Sequence, residues 1–169
     1  NGSDFAWGET AEKTDYSWNN YKWGKYEDSA PDYGMTKYNT KDGLTTLEVG
    51  DDPATANWGS KWRTPTLDEF KELLNNCEWT WVTKKDANGV DVNGYTVTSK
   101  INGNRIFLPA AGFRDDSGRE ISGNYGYYWS SSLYASHPYR ADYFNFDSSH
   151  LEWHGDSRKD GIPVRAVTE

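Results

Sequence analysis

Cysteine is all but missing: Cys77 is the single thiol in 169 residues, so no intrachain disulfide can brace the fold. That neither argues for secretion nor against it. No run of about 18 apolar residues occurs, so nothing reads as a membrane-spanning helix. Positive charge is short, with 18 Lys and Arg against 26 Asp and Glu, a formal net charge of −8. That balance excludes the basic patch nucleic acid requires and disfavours an anionic membrane surface. No signal peptide is visible. The chain begins at Asn1 without a methionine, which reads as the trimmed remainder of a longer exported protein whose signal or lipid anchor is not included. Neither an internal repeat nor an interdomain linker breaks the chain, so residues 1–169 are expected to form one domain.

What the chain has instead is aromatic rings. Aliphatic residues are sparse, yet there are nine Trp and twelve Tyr. Each ring buries a large area, so a core can stand on few of them, and the remainder are candidates for binding. Ten aromatics fall between Tyr125 and Trp153, and all three histidines, His137, His150 and His154, lie in the same last third of the chain.

Residues 1–50 show little periodicity. Phe5-Ala6-Trp7-Gly8-Glu9 suits a short strand. Trp18, Tyr21, Trp23, Tyr26, Tyr33 and Tyr38 then stand among Asn, Lys, Asp and Gly. This is the pattern of a long excursion pinned by single aromatic anchors, since a disordered segment would be poorer in rings. Asp51-Asp52-Pro53 predicts a short helix with an acidic N-cap and Pro in its first turn. A calcium loop would need a spaced Asp-x-Asp-x-Asp-Gly pattern that is absent. Thr66 and Glu69 predict a capping box. Phe70, Leu73, Leu74 and Cys77 follow at helical spacing and predict one buried stripe, with Cys77 a packed thiol.

Glu78 to Thr83 alternates as a strand. Asp86-Ala87-Asn88-Gly89 and Asn93-Gly94 are read as turns, and Asn102-Gly103 as a hairpin between two β-rich runs. Asp116-Ser117-Gly118 turns the chain again. Further strands are expected at Tyr127–Ser131, Ala141–Asp147 and Val164–Val167. In the middle one, Phe144 and Phe146 point one way and Tyr143 and Asn145 the other.

The following segments, in this order, carry a specific likeness: Phe5-Ala6-Trp7-Gly8-Glu9; Trp58-Gly59 through Trp62-Arg63-Thr64-Pro65-Thr66 and Glu69; Leu108-Pro109-Ala110-Ala111-Gly112-Phe113-Arg114; Gly126-Tyr127-Tyr128-Trp129-Ser130-Ser131-Ser132; and Gly161, Val164-Arg165 and Val167. Together they span nearly the whole chain, which resembles the paralogous family of exported Bacteroides- and Fibrobacter-type domains with a C-type lectin-like fold. That family's relatives include the formylglycine-generating enzyme and the variable proteins of diversity-generating retroelements. Where the family usually has Ser before Val-Arg, this chain has Pro163. The resemblance implies an α+β fold of two helices on small antiparallel sheets, with the chain ends close together. It also implies an exposed ligand surface between Trp129 and Val164, the region that varies in retroelement-diversified relatives.

Catalysis is not the expectation. A formylglycine-generating activity, which the resemblance would suggest, needs a cysteine pair to hold copper, and only Cys77 is present. Ser130, Ser131 or Ser132 with His137 and Asp142 lack a nucleophile elbow and suit a strand whose hydroxyls bond backbone. No spacing singles out a carboxylate pair for glycoside hydrolysis. His150, Glu152 and His154 share one face of a strand, where a zinc or nickel site is weighed against a solvated or ligand-facing polar edge and the edge preferred. The calcium-dependent lectin motifs Glu-Pro-Asn, Gln-Pro-Asp and Trp-Asn-Asp are absent. No cofactor or metal is expected.

Binding is the remaining class, because Tyr, Trp, Ser, Asn and Asp on a fixed scaffold are the residues of antibody-like contact surfaces. The candidate contacts are Tyr134, Ser136, His137, Tyr139, Asp142, Tyr143, Asn145, His150, Glu152, His154, Asp156 and Lys159. The expected frame is Trp129, Ala141, Phe144, Phe146, Leu151, Gly161, Val164 and Val167. Arg158 and Arg165 are expected to form ion pairs within or beside that frame. The expectation is a secreted or surface bacterial recognition module, a monomer, whose ligand is a protein or a glycan. The alternatives are a structural or adhesin module and a carbohydrate-active protein.

Overall fold

The computed structural model describes residues 3–120, 123–134 and 136–168. The chain is α+β, built of small antiparallel sheets and two short helices among the described residues. In order it forms β1 (Asp4–Phe5), α1 (Pro53–Trp58), β2 (Trp62–Arg63), α2 (Leu67–Asn76), β3 (Cys77–Lys85), β4 (Asp91–Ser99) and β5 (Arg105–Pro109). Then come β6 (Phe113–Asp115), β7 (Gly118–Glu120), β8 (Gly126–Leu133), β9 (Arg140–Phe146), β10 (Leu151–Ser157), β11 (Ile162–Pro163) and β12 (Val167–Thr168). The sheets are β3-β4-β5, β10-β9-β8 and three pairs: β1-β11, β2-β12 and β6-β7. Pairing of Asp4 with Pro163 draws β1 against β11, close to the C-terminal end of the chain.

Both helices start where the capping residues place them. Asp52 accepts from the Ala54 and Thr55 amides, with Pro53 in the first turn. Thr66 and Glu69 close a reciprocal capping box, and Arg63 grips Glu69 through two bonds of 2.6 and 2.7 Å. That grip, offset only in part by burial, holds the Glu69 carboxyl down at about 2. The predicted stripe is shorter than expected: α2 stops at Asn76 and Cys77 opens β3. Burial pushes the Cys77 thiol up, away from the reactive thiolate.

Asn93 and Gly94, expected as a turn, lie inside β4. Gly94 is there for contact: a β-carbon on it would sit 2.2 Å from the Leu108 carbonyl oxygen across the ladder. Of the expected last strand, Val164–Val167, only Val167 lies in a strand. Ile162–Pro163 pairs with β1 and Val167–Thr168 with β2, leaving Val164 to Ala166 outside any strand.

The central strand β9 is buried on both faces. Phe144 and Phe146 join Phe70, Tyr95 and Tyr128 in one cluster, beneath α2 and the β3-β4-β5 sheet. Ala141 and Tyr143 join Trp7, Tyr38, Trp129, Leu133 and Ile162 in another. The second cluster exists because the N-terminal excursion folds back over the sheet. Its anchors hold by their polar tips as well as their faces. Trp7 Nε1 donates to the Ser130 carbonyl at 2.8 Å, Tyr16 Oη to Asp4 O at 2.8 Å, Tyr21 Oη to Trp7 O at 2.7 Å and Trp23 Nε1 to Gly8 O at 2.8 Å.

Arg158 stitches this excursion to the C-terminal segment. It is fully buried, and its guanidinium lies 4.9 Å from the Trp7 ring, 5.5 Å from Tyr21 and 5.6 Å from Tyr38. It donates to Tyr21 Oη at 2.9 Å and to the carbonyls of Lys37, Tyr38 and Pro138 at 2.8 to 3.3 Å. Among the described residues the expected ion pair does not form: oxygens of neutral groups and ring faces surround the charge instead. Arg165 is exposed and, among the described residues, has no carboxylate partner.

Arg158→Lys should lower unfolding stability by about 2–4 kcal/mol, because an ammonium cannot reproduce the planar fork and leaves buried carbonyls without donors. Urea midpoints check this against Arg105→Lys, an exposed exchange expected to leave the midpoint unchanged.

Candidate functional site

The twelve candidate side chains divide among three surfaces and two isolated positions. Three of them, Tyr134, Ser136 and Asp142, line a groove of about 500 Å³ together with Leu67, Leu133, Trp153 and Gly155; His154 borders it through β10, but its register with Tyr143 turns its side chain to the opposite sheet face. Its walls come from the edge strand β10, the segment after β8 and the first residue of α2. Asp142 pairs in register with Gly155 and Phe144 with Trp153, so these positions share the sheet face beneath α2.

Gly155 lets the aromatic wall approach. A β-carbon there would come within 2.6 Å of the Tyr134 ring, so that ring lies directly on the backbone of β10. Trp153 leaves 43% of its surface exposed although it stands on a sheet edge. Lys71 of α2 lies 5.6 Å from its ring centre and is tied to Asp68 at 2.9 Å.

Asp142 is the one carboxylate in this lining among the described residues, and it is only 9% exposed. Its backbone carbonyl accepts from Ser130 Oγ at 2.8 Å, but its carboxylate has no hydrogen-bond or ion-pair partner among the described residues. Burial accordingly pushes the carboxyl up to about 6, opposed only by the more distant charge of Lys71. A buried acid left without a partner is expensive and marks a candidate site.

The second surface is a band of rings. Tyr134 lies 6.0 Å from His137, His137 6.0 Å from Tyr33, Tyr33 5.0 Å from Tyr139, Tyr139 4.6 Å from Tyr26, and Tyr26 6.0 Å from Trp18. All six are half-buried, so the band runs from the groove across the excursion with part of each ring in solvent. His137 and Tyr139 were expected in the contact surface. Tyr26 and Tyr33 were read only as anchors, because His137 and Tyr139, which draw them into the band, lie about a hundred positions further along the chain.

The third surface is the opposite face of β9 and β10. Asn145 Nδ2 donates to Glu152 at 3.3 Å, His154 meets Glu152 at 3.1 Å, and Tyr143 lies 6.4 Å from the His154 ring. Tyr143 and Asn145 do point away from Phe144 and Phe146, as expected, but each is only 9% exposed. They are wall rather than display: Trp129 and Tyr127 flank the Tyr143 ring at 6.2 and 5.6 Å. Asn145 Oδ1 is buried without a hydrogen-bond partner among the described residues. Asp156 is half-buried on this side, its carboxyl raised by burial.

His150 stands apart, turned to Asp147 at 3.3 Å in the turn before β10. Lys159 is engaged by Asp160 at 2.6 Å and Asp116 at 2.9 Å, so its ammonium is committed to the fold rather than to a ligand. Among the described residues no group of three His, Cys, Asp or Glu is placed to hold a metal ion. Ser130 is fully buried with its hydroxyl on backbone, and Ser132 Oγ accepts from the Leu67 amide at 3.1 Å. Compared with known proteins, the chain matches no family model, no curated protein and no solved structure.

The Asp142 carboxyl has a folded value near 6 against an ordinary 3.8, so folding favours its neutral form. The penalty on the folded state is complete above pH 6, shrinks as pH falls, and is absent below about pH 4. Asp142→Asn should therefore stabilise the chain by about 2 kcal/mol at pH 7.5 and leave it unchanged at pH 3.5. Urea titrations at the two pH values measure the difference.

Proposed function

We propose that this chain is a non-catalytic recognition module of C-type lectin-like fold, carried by an exported or surface bacterial protein. Its ligand is a glycan chain gripped by the groove and followed along the band of rings. The observation that carries this reading is Asp142: a largely buried residue whose carboxylate, without a hydrogen-bond or ion-pair partner among the described residues, lines an open groove together with Trp153 and Tyr134. Sugar hydroxyls supply the donors that the carboxylate is short of, and their carbon-bound hydrogens pack on the exposed indole and phenol faces. The volume suits a ligand of small-molecule size, and the adjoining rings provide further stacking positions for a longer chain.

A hydrolase reading has less support. Glycoside hydrolysis takes two carboxyl groups flanking the bond, and the groove lining holds one among the described residues. Among the described residues no helix is long and apolar enough to cross a membrane. The two-helix, small-sheet architecture, with β1 paired to the late strand β11, is consistent with the lectin-like assignment. A surface that varies among retroelement-diversified relatives would coincide with Tyr134, Ser136 and His137, which lie in a loop rather than in the core.

A glycan array followed by calorimetry with oligosaccharides of increasing length tests the reading. Asp142→Asn and Trp153→Ala should each weaken binding of every length by about tenfold or more. Tyr33→Ala should weaken only the longer oligomers and leave the melting temperature unchanged. If the array retains no glycan, or if both groove variants bind as the native chain does, the proposal fails and a structural role in a larger surface assembly takes its place.

A further inference from the structure

We infer that a second cleft, between Trp58, Trp62 and Arg165, is a binding site for a carboxylate-bearing sugar. It encloses about 520 Å³, is floored by Val164 and Ala166, and shares no lining residue with the Asp142 groove. It does not depend on the reading of that groove.

The two indoles are held rigidly although 44% and 41% of their surfaces are exposed. Trp58 ends α1, where its ring sits edge-on against Phe5 at 6.4 Å. Gly59 then takes φ +97, a conformation that side-chain-bearing residues avoid, and the chain reverses within three residues. The Trp62 amide donates back to Gly59 O at 2.9 Å, and Thr55 Oγ1 donates to Trp62 O at 2.7 Å. Pairing of Trp62 with Thr168 fixes the backbone of the second tryptophan from the other side. Single tryptophans on a surface need no explanation. Two that line a single cleft together with Arg165 form a shaped site.

Charge selects the ligand. Arg165 is exposed and has no carboxylate partner among the described residues, in a chain of net charge −8. Arg63 and Arg114 are both held by acids, at 2.6 and 2.8 Å. A free guanidinium presents a planar fork of donors that matches a carboxylate. A neutral sugar would use the indoles and leave the fork idle, whereas a bare inorganic anion would use the fork and leave both indoles idle. A sugar acid uses both, its ring stacked on tryptophan and its carboxylate on Arg165.

The test is titration of the native chain with trigalacturonate and with sialyllactose, following tryptophan fluorescence, beside the uncharged galactotriose and lactose. At least one acidic probe should bind more tightly than its neutral counterpart. Arg165→Gln should weaken that probe by about tenfold or more, the worth of a charge-assisted pair, and abolish the preference for acid. Trp58→Ala should weaken it with the melting temperature unchanged, and Asp142→Asn should leave it as it was. Failure of both acidic probes to bind, equal binding of acidic and neutral sugars, or native affinity in Arg165→Gln overturns the inference.

Discussion

The structure depends on a cation buried where no carboxylate pairs with it. Taking a guanidinium out of water costs several kcal/mol, and Arg158 recovers that only if every acceptor around it is in place at once. Those acceptors come from far apart in the chain: Tyr21, Lys37 and Tyr38 in the excursion, and Pro138 before β9. The fold is therefore cooperative across segments that share no sheet. The excursion has few apolar residues and little regular structure, yet it is fixed because its rings and carbonyls surround a charge that would otherwise be stranded.

The same constraint places the candidate site. Arg158 holds the Pro138 carbonyl and so fixes the loop carrying His137 and Tyr139, while its hold on Lys37 and Tyr38 positions the excursion whose Tyr26 and Tyr33 meet them. Covering β9 on both faces has a second effect. Side chains on the central strand are used for packing, so the groups left facing solvent stand at the sheet edge and in the flanking loop. Asp142 is the exception: it lies on the central strand but beyond the end of the aromatic cluster, where α2 and β10 leave the groove open.

Local structure was legible wherever a short-range rule governed it. Asp52 and Thr66 cap helices because their side chains reach amides two or three residues on, and Asn102-Gly103 turns a hairpin by its own backbone preference. Phe144 and Phe146 were rightly assigned to the core. Tyr143 and Asn145 were expected in the open, since alternation along a strand tells the two faces apart but not whether a distant segment covers the second one. Asn93-Gly94 has the letters of a turn, yet the close approach of Leu108 across the ladder draws it into a strand. The Trp58 and Trp62 cleft was not visible for a related reason: exposure depends on what fails to pack there, and no local pattern records that.

Arg158 is held differently from a charge in an ion pair. An ion pair loosens when ionic strength rises, and a carboxylate partner lets go once acid protonates it. Carbonyl oxygens and indole faces do neither, and burial keeps the Tyr21 phenol protonated far beyond ordinary alkalinity. The seam between excursion and sheet thus holds by contacts that brine and acidification leave largely alone.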